Sequence, residues 1–164
     1  MIIKFLKNLI KMFKGEDFSM QGTYIFRFTN METGNVREVI QENMIPLTGR
    51  AYIILRLMQD QATPGIKLTH TALGSGTNAP ANGDTQLQTE TYRKAVASAT
   101  SAGNIGYVSA FYTAVEFVGT IREVGLFING TGAANSGTLF SRVATNLTKS
   151  NIETLTVDYQ LTLN

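Results

Sequence analysis

Residues 154–163 alternate without a break. Leu155, Val157, Tyr159, Leu161 and Leu163 fall on one parity; Thr154, Thr156, Asp158, Gln160 and Thr162 fall on the other. In an extended chain successive side chains point to opposite faces, so this run spells a strand with one apolar face and one polar face. As a helix the same residues would scatter their apolar groups around the axis. The apolar face has to be covered by a second layer, which the remaining residues must supply.

Most of the chain reads as further strands. Thr23–Thr29 is rich in aromatic and β-branched residues, and Thr33-Gly34-Asn35 is a turn signal that returns the chain as Val36–Gln41, a hairpin. Ile66–Leu73 is a strand with Ile66, Leu68, His70 and Ala72 expected on one side. Lys94–Thr100 and Gly106–Phe117 read as extended, joined by a turn at 101–104. Thr120–Ile128 puts Val124, Leu126 and Ile128 on one face and Glu123, Gly125 and Phe127 on the other. Thr138–Val143 is a strand, and Gln86–Arg93 fits a short helix or a strand equally. Residues 74–84 and 129–137 are loops of small residues and turn formers, at strand ends where binding surfaces often form. The best helix of the body is 47–59, with Thr48 as N-cap and Ala51, Ile54, Leu55 and Met58 as the i, i+3, i+4, i+7 stripe facing the core. The expected fold is mainly β, an antiparallel β-sandwich with one packed helix, preceded by an N-terminal amphipathic helix.

The first fourteen residues, MIIKFLKNLIKMFK, stand apart. Lys4, Lys7, Lys11 and Lys14 recur at helical spacing, and Ile2, Phe5, Leu6, Leu9, Ile10 and Phe13 belong to the wide apolar remainder. The stretch is too short and too interrupted by lysine to cross a bilayer, and it lacks a signal peptide's unbroken apolar core. Three uses fit an amphipathic cationic arm: docking on a partner protein or a neighbouring copy, covering the domain's own core, or resting on a membrane surface. We divide the chain into an arm, 1–19, and one sandwich-like domain, 20–164. The net charge of +2 divides after residue 14. The arm's four lysines carry +4, and residues 15–164 hold ten basic against twelve acidic groups, a net of −2. The basic pI of 8.9 therefore implies no broad phosphate-binding face and no specific nucleic-acid partner.

Composition excludes much chemistry. The absence of Cys removes disulfides, thiol catalysis and Cys-ligated metals, and a single His removes multi-His metal sites. His70, Ser75 and Asp84 lie close in sequence but lack a nucleophile-elbow pattern. Gly74-Ser75-Gly76-Thr77 lacks the Lys-Ser/Thr of a phosphate loop. We expect no enzyme, no cofactor and no metal. Charged residues are 16% of the chain, against roughly 25% in ordinary globular proteins. In so sparse a setting, Glu90, Arg93, Arg122, Glu123 and Arg142 stand out. The expectation is that Arg93 or Arg122 bridges Glu90 or Glu123 and fixes strand order or a subunit contact.

A longer pattern carries more. Thr71-Ala-Leu-Gly-Ser-Gly-Thr-Asn-Ala-Pro80 is followed by Asp84-Thr85, Leu87 and Glu90-Thr-Tyr-Arg93. Then come Gly119-Thr-Ile-Arg-Glu-Val-Gly-Leu-Phe127, Gly137-Thr-Leu-Phe-Ser-Arg-Val143, and Lys149 before Leu155-Thr-Val157. Over residues 43–163 this order resembles small tailed-bacteriophage virion proteins and the amino-terminal attachment domains of phage tail-collar fibres. The resemblance implies a non-enzymatic, oligomeric structural part of a virion, in a fibre, baseplate, neck or capsid surface. Its partners would be other virion proteins and copies of itself. No fibre shaft follows Asn164 in this sequence, which points to an adaptor, anchor or decoration role. The alternatives are a capsid decoration protein and a receptor- or carbohydrate-binding module using loops 74–84 and 129–137. Neither loop contains an aromatic residue to stack on a sugar.

Overall fold

The computed structural model describes residues 19–58 and 65–164. The strands run β1 (Met20–Asn30), β2 (Val36–Glu42), then helix α1 (Leu47–Met58), β3 (Leu68–Gly74), β4 (Glu90–Ala95), β5 (Ser98–Ala102), β6 (Ile105–Tyr112), β7 (Gly119–Ile128), β8 (Thr138–Lys149) and β9 (Glu153–Leu163). They form two antiparallel sheets, one of five strands ordered β2-β1-β9-β6-β5 and one of four ordered β4-β3-β7-β8. This is the mainly β, sandwich-like fold that the alternating runs imply. The arm residues Ile2, Phe5, Leu6, Leu9, Ile10 and Phe13 lie outside the described residues.

The core lies between the sheets. The run 154–163 turns Leu155, Val157 and Tyr159 inward beside Tyr24, Phe26 and Phe28 of β1, its neighbour in register. From the other sheet come Leu73, Ile121, Val124, Leu126 and Ile128. Two buried hydroxyl pairs tie the layers: Tyr24 with Ser141 at 2.7 Å and Thr71 with Tyr112 at 2.6 Å. A phenol buried without a partner costs stability, and Tyr24 and Tyr112 avoid that cost by matching a hydroxyl across the gap. Burial pushes both phenols above their ordinary pKa.

The chain crosses between sheets on both flanks. On one, β4 and β5 form a nearly continuous extended stretch. The Val96 amide donates to Thr69 in one sheet and the next amide, Ala97, to Ser109 in the other. The single strand expected over 94–100 is thus split where it changes layers. On the opposite flank, β2 ends at Glu42 and Met44 exchanges two backbone hydrogen bonds with Arg142 on the edge strand β8. Helix α1 then lies along that edge and covers it.

The helix corrects one expectation. The stripe Ala51, Ile54, Leu55 does not face the core: Ala51 is exposed, Ile54 is 59% exposed and Leu55 41%. Gly49, Tyr52 and Ile53 face the body instead. At Gly49 the helix backbone meets the Phe140 carbonyl so closely that a Cβ would collide with it. The Thr48 hydroxyl donates to the carbonyls of Leu139 (3.0 Å) and Asp84 (3.3 Å) instead of capping the helix. Close approach and side-chain anchoring set the rotation of α1, overriding its apolar periodicity.

A second correction lies in β3. The register shifts between Leu68 and His70, leaving Thr69 as an extra residue. Leu68 packs against the main core while Ala72 joins a separate cluster on the opposite face. The bulge is what separates the residues that strict alternation would place together.

Candidate functional site

The two outer faces of the sandwich differ, and the difference begins with the segment between β3 and β4. The outward face of the four-stranded sheet carries Ala72, Glu123, Gly125, Phe127, Leu139 and Arg142. Residues 75–89 lie over it, with Leu87 inserted beside Ala72, Phe127 and Leu139. Gly125 makes room: a Cβ there would come within 2.9 Å of Leu87. The small-residue loop expected at 74–84 is therefore a roof, held down at defined points.

Glu123 is the main fastening. Its carboxylate is fully buried and accepts from the amides of Gly76 (3.0 Å), Gln88 (2.9 Å) and Thr89 (2.7 Å). Arg142 compensates its charge, with N–O distances of 3.1 and 2.9 Å, and reaches Asp84 at 2.6 Å and the Asn78 carbonyl at 3.1 Å. One arginine thus joins two carboxylates and a loop carbonyl beneath the roof. A carboxylate taken out of water needs several donors and a cation. Gly74 and Gly76 are required by the same packing, since a Cβ at either would press on the Glu123 carboxylate.

A second fastening holds the loop 129–137. Arg93 forms a two-pronged pair with Glu90, both contacts 2.7 Å, and both side chains are 2% exposed. Its remaining nitrogen donates to the Ser136 carbonyl at 2.7 Å, and its guanidinium lies over the Phe127 ring at 4.1 Å. Glu90 also accepts from the Asn135 amide at 3.1 Å. The structure thus places Arg93 with Glu90, as one of the expected pairings had it. Glu123 is joined instead to Arg142 and, through it, to Asp84. Arg122 points to solvent and has no ion pair among the described residues. Glu123 shares the outward face with Gly125 and Phe127 beneath the roof, whereas Arg122 falls where the β7–β8 register is irregular and stays exposed. The pairing of Asp84 with Arg142 was not legible in the sequence, because nothing local marks a loop acid as the partner of an arginine 58 residues on.

A smaller cluster lies at the far end. Glu116 accepts from Lys94, the Tyr92 hydroxyl (3.1 Å) and the Thr113 amide (2.8 Å). Lys94, then the Thr113 amide, hold its carboxyl down to about 2. Lys149 is buried and donates to the Ala114 carbonyl at 2.9 Å; burial lowers its pKa.

His70, Ser75 and Asp84 are not assembled into a relay. Asp84 is engaged by Arg142 and by the Ala81 amide, and the Ser75 amide pairs with Thr89. His70 sits beside Gly130 and Arg93, where burial and then the Arg93 charge lower its pKa. Among the described residues no three acidic or imidazole groups gather at metal-binding separation. No described helix is long and apolar enough to cross a membrane.

Among the described residues, no segment lies over the outer face of the five-stranded sheet. Strand register places Ile40, Ile25, Asp158 and Ser109 in one row and Glu38, Arg27, Thr156 and Phe111 in the next. Arg27 pairs with Glu38 at 2.7 Å and with Asp158. Between these polar groups Ile40 is 61% exposed, Tyr107 42% and Phe111 44%, and every residue of β5 is exposed. No family model matches the chain, nor does any curated protein or solved structure.

Proposed function

We propose that the protein is a non-enzymatic structural component of a tailed-phage virion, an oligomeric adaptor or anchor of the fibre, baseplate or neck. The observation that carries this reading is the asymmetry of the sandwich. One sheet is sealed by loops pinned through Glu123, Arg142, Glu90 and Arg93. The other presents a five-stranded face with apolar groups set among neutral threonines and paired charges. Surfaces of that kind are enriched where proteins pack on each other. The residues on which the phage resemblance rests, from Thr71 to Arg93 and from Gly119 to Val143, are largely those that build the sealed sheet and its roof. A rigid, charge-poor body with one open face suits a part that is held by its neighbours.

In this reading the apolar side chains Ile2, Phe5, Leu6, Leu9, Ile10 and Phe13 form an anchor, and copies of the chain and other virion proteins are the partners. Cryo-electron microscopy of the source particle, complemented with full-length chain or with a chain lacking residues 1–18, tests it. Density for the full chain at a symmetric position, reduced or lost with the truncated chain, is the expected result. Normal incorporation of the truncated chain would remove the anchor role. Absence of the full chain from the particle would overturn the assignment.

A further inference from the structure

At one end of the sandwich the layers part. Three adjoining hollows line this opening, of about 780, 240 and 560 Å³. The first and second share Ile53, and the second and third share Ile66, Leu68 and Leu161. Met20, Ile53, Ile66, Leu68 and Leu161 are only partly buried, although each packs on the main core. Ile54, 59% exposed, continues the apolar surface along α1. Together they line an apolar trough against the core, with Glu42, Asn43, Arg50 and Asn82 along the first hollow.

The chain enters the body at the rim of this trough. Ser19 exchanges two backbone hydrogen bonds with Asn164, and Met20 next to it lines the largest hollow. The described chain thus begins at the rim of the opening. We infer that the amphipathic segment Ile2–Phe13 of the same chain occupies the trough in the unassembled protein, apolar face inward. As a helix its twelve residues are about 18 Å long, and residues 14–18 can reach about 18 Å from Ser19. The spacing that gathers Phe5, Leu6, Leu9 and Phe13 leaves Lys4, Lys7, Lys11 and Lys14 in water when that face is buried. A tether this short holds the segment at an effective concentration in the millimolar range, which favours its own trough over a neighbour's. The docking holds whether or not the protein belongs to a virion.

The chain contains no Trp, so Leu9→Trp in the full-length protein gives a single reporter. The expected emission is blue-shifted. Ile54→Glu in the same chain should shift it to the solvent value, and excess unlabelled wild-type protein should not restore it. The melting temperature of Ile54→Glu should stay near that of the parent, because Ile54 is mostly exposed. Leu6→Glu beside the reporter should abolish the shift equally, without touching the body. Four results would each overturn the inference. They are solvent-like emission from Leu9→Trp itself, a blue shift indifferent to both Glu substitutions, a shift restored by the wild-type trough of another copy, and a shift that arises only with anionic phosphatidylglycerol vesicles.

Discussion

Glu123 and Glu116 show how differently two carboxylates are used in one chain. Glu123 has no exposed surface and five donors around it, so its removal leaves Arg142 under-compensated and three loop amides without an acceptor. Breaking a buried pair of this kind costs about 3–5 kcal/mol. Glu123→Gln should therefore lower the unfolding free energy from urea titration by an amount in that range, through a lower midpoint with little change in slope, whereas Arg122→Gln, at the exposed neighbour, should change that free energy by less than about 0.5 kcal/mol. Equal effects at the two positions would mean that the roof is not fastened through Glu123. Glu116 instead titrates. Its folded pKa lies near 2, below the usual carboxylate value of about 4.3. The stability it contributes is thus fully present above about pH 4.3 and lost as pH falls through its folded value. Glu153, also lowered, by the Ser150 amide and by Arg37, acts in the same sense. Unfolding followed from pH 5 to pH 2 should show a decline that is shallower in Glu116→Gln. That Glu123 needs a cation was legible in the sequence, because it is an acid among apolar neighbours. Which arginine answers Glu123 was not, since the bond joins adjacent strands and a loop.

Among the elements, α1 is the one whose role periodicity misassigned. A helix laid on a sheet face buries its widest apolar stripe. This one lies along a strand edge, where backbone distance decides, and the residue that permits the approach is a glycine. Gly49→Ala tests that account, because the two influences on it have opposite sign. Helix propensity alone favours Ala over Gly by about 1 kcal/mol. The collision with the Phe140 carbonyl should outweigh it, giving a net loss of about 1–3 kcal/mol in thermal or denaturant unfolding. A stabilised variant would show that the helix can shift freely from β8. The strands were easier to read. β1, β7 and β9 alternate over most of their length, and alternation has only one physical meaning in an extended chain. The bulge in β3 and the sheet change at Val96-Ala97 were not legible. Both depend on which neighbour supplies the next hydrogen bond.

For the molecule as a whole, the consequence is a body sealed on one side, with an opposite, open face that no described segment covers. The open face is where self-association should be sought. Tyr107→Glu with Phe111→Glu removes two exposed aromatic groups that stand outside the core. The double variant should keep its melting temperature within a few degrees, while light scattering after size exclusion shows a smaller particle than the parent at equal concentration. An unchanged mass would move the contact away from this sheet. The sequence by itself determined the antiparallel β character, the hairpin at 30–35, the parity of β7 and β9 and the separation of a cationic arm from a near-neutral body. All of these rest on local rules: side-chain direction in an extended chain, turn chemistry and the spacing of charges. Only the tertiary structure decided that residues 75–89 form a roof over the four-stranded sheet, that Arg142 answers both Glu123 and Asp84, and that α1 presents Gly49 to the body. Those outcomes depend on contacts between residues far apart in the chain, where burial must be matched by hydrogen bonds and by space.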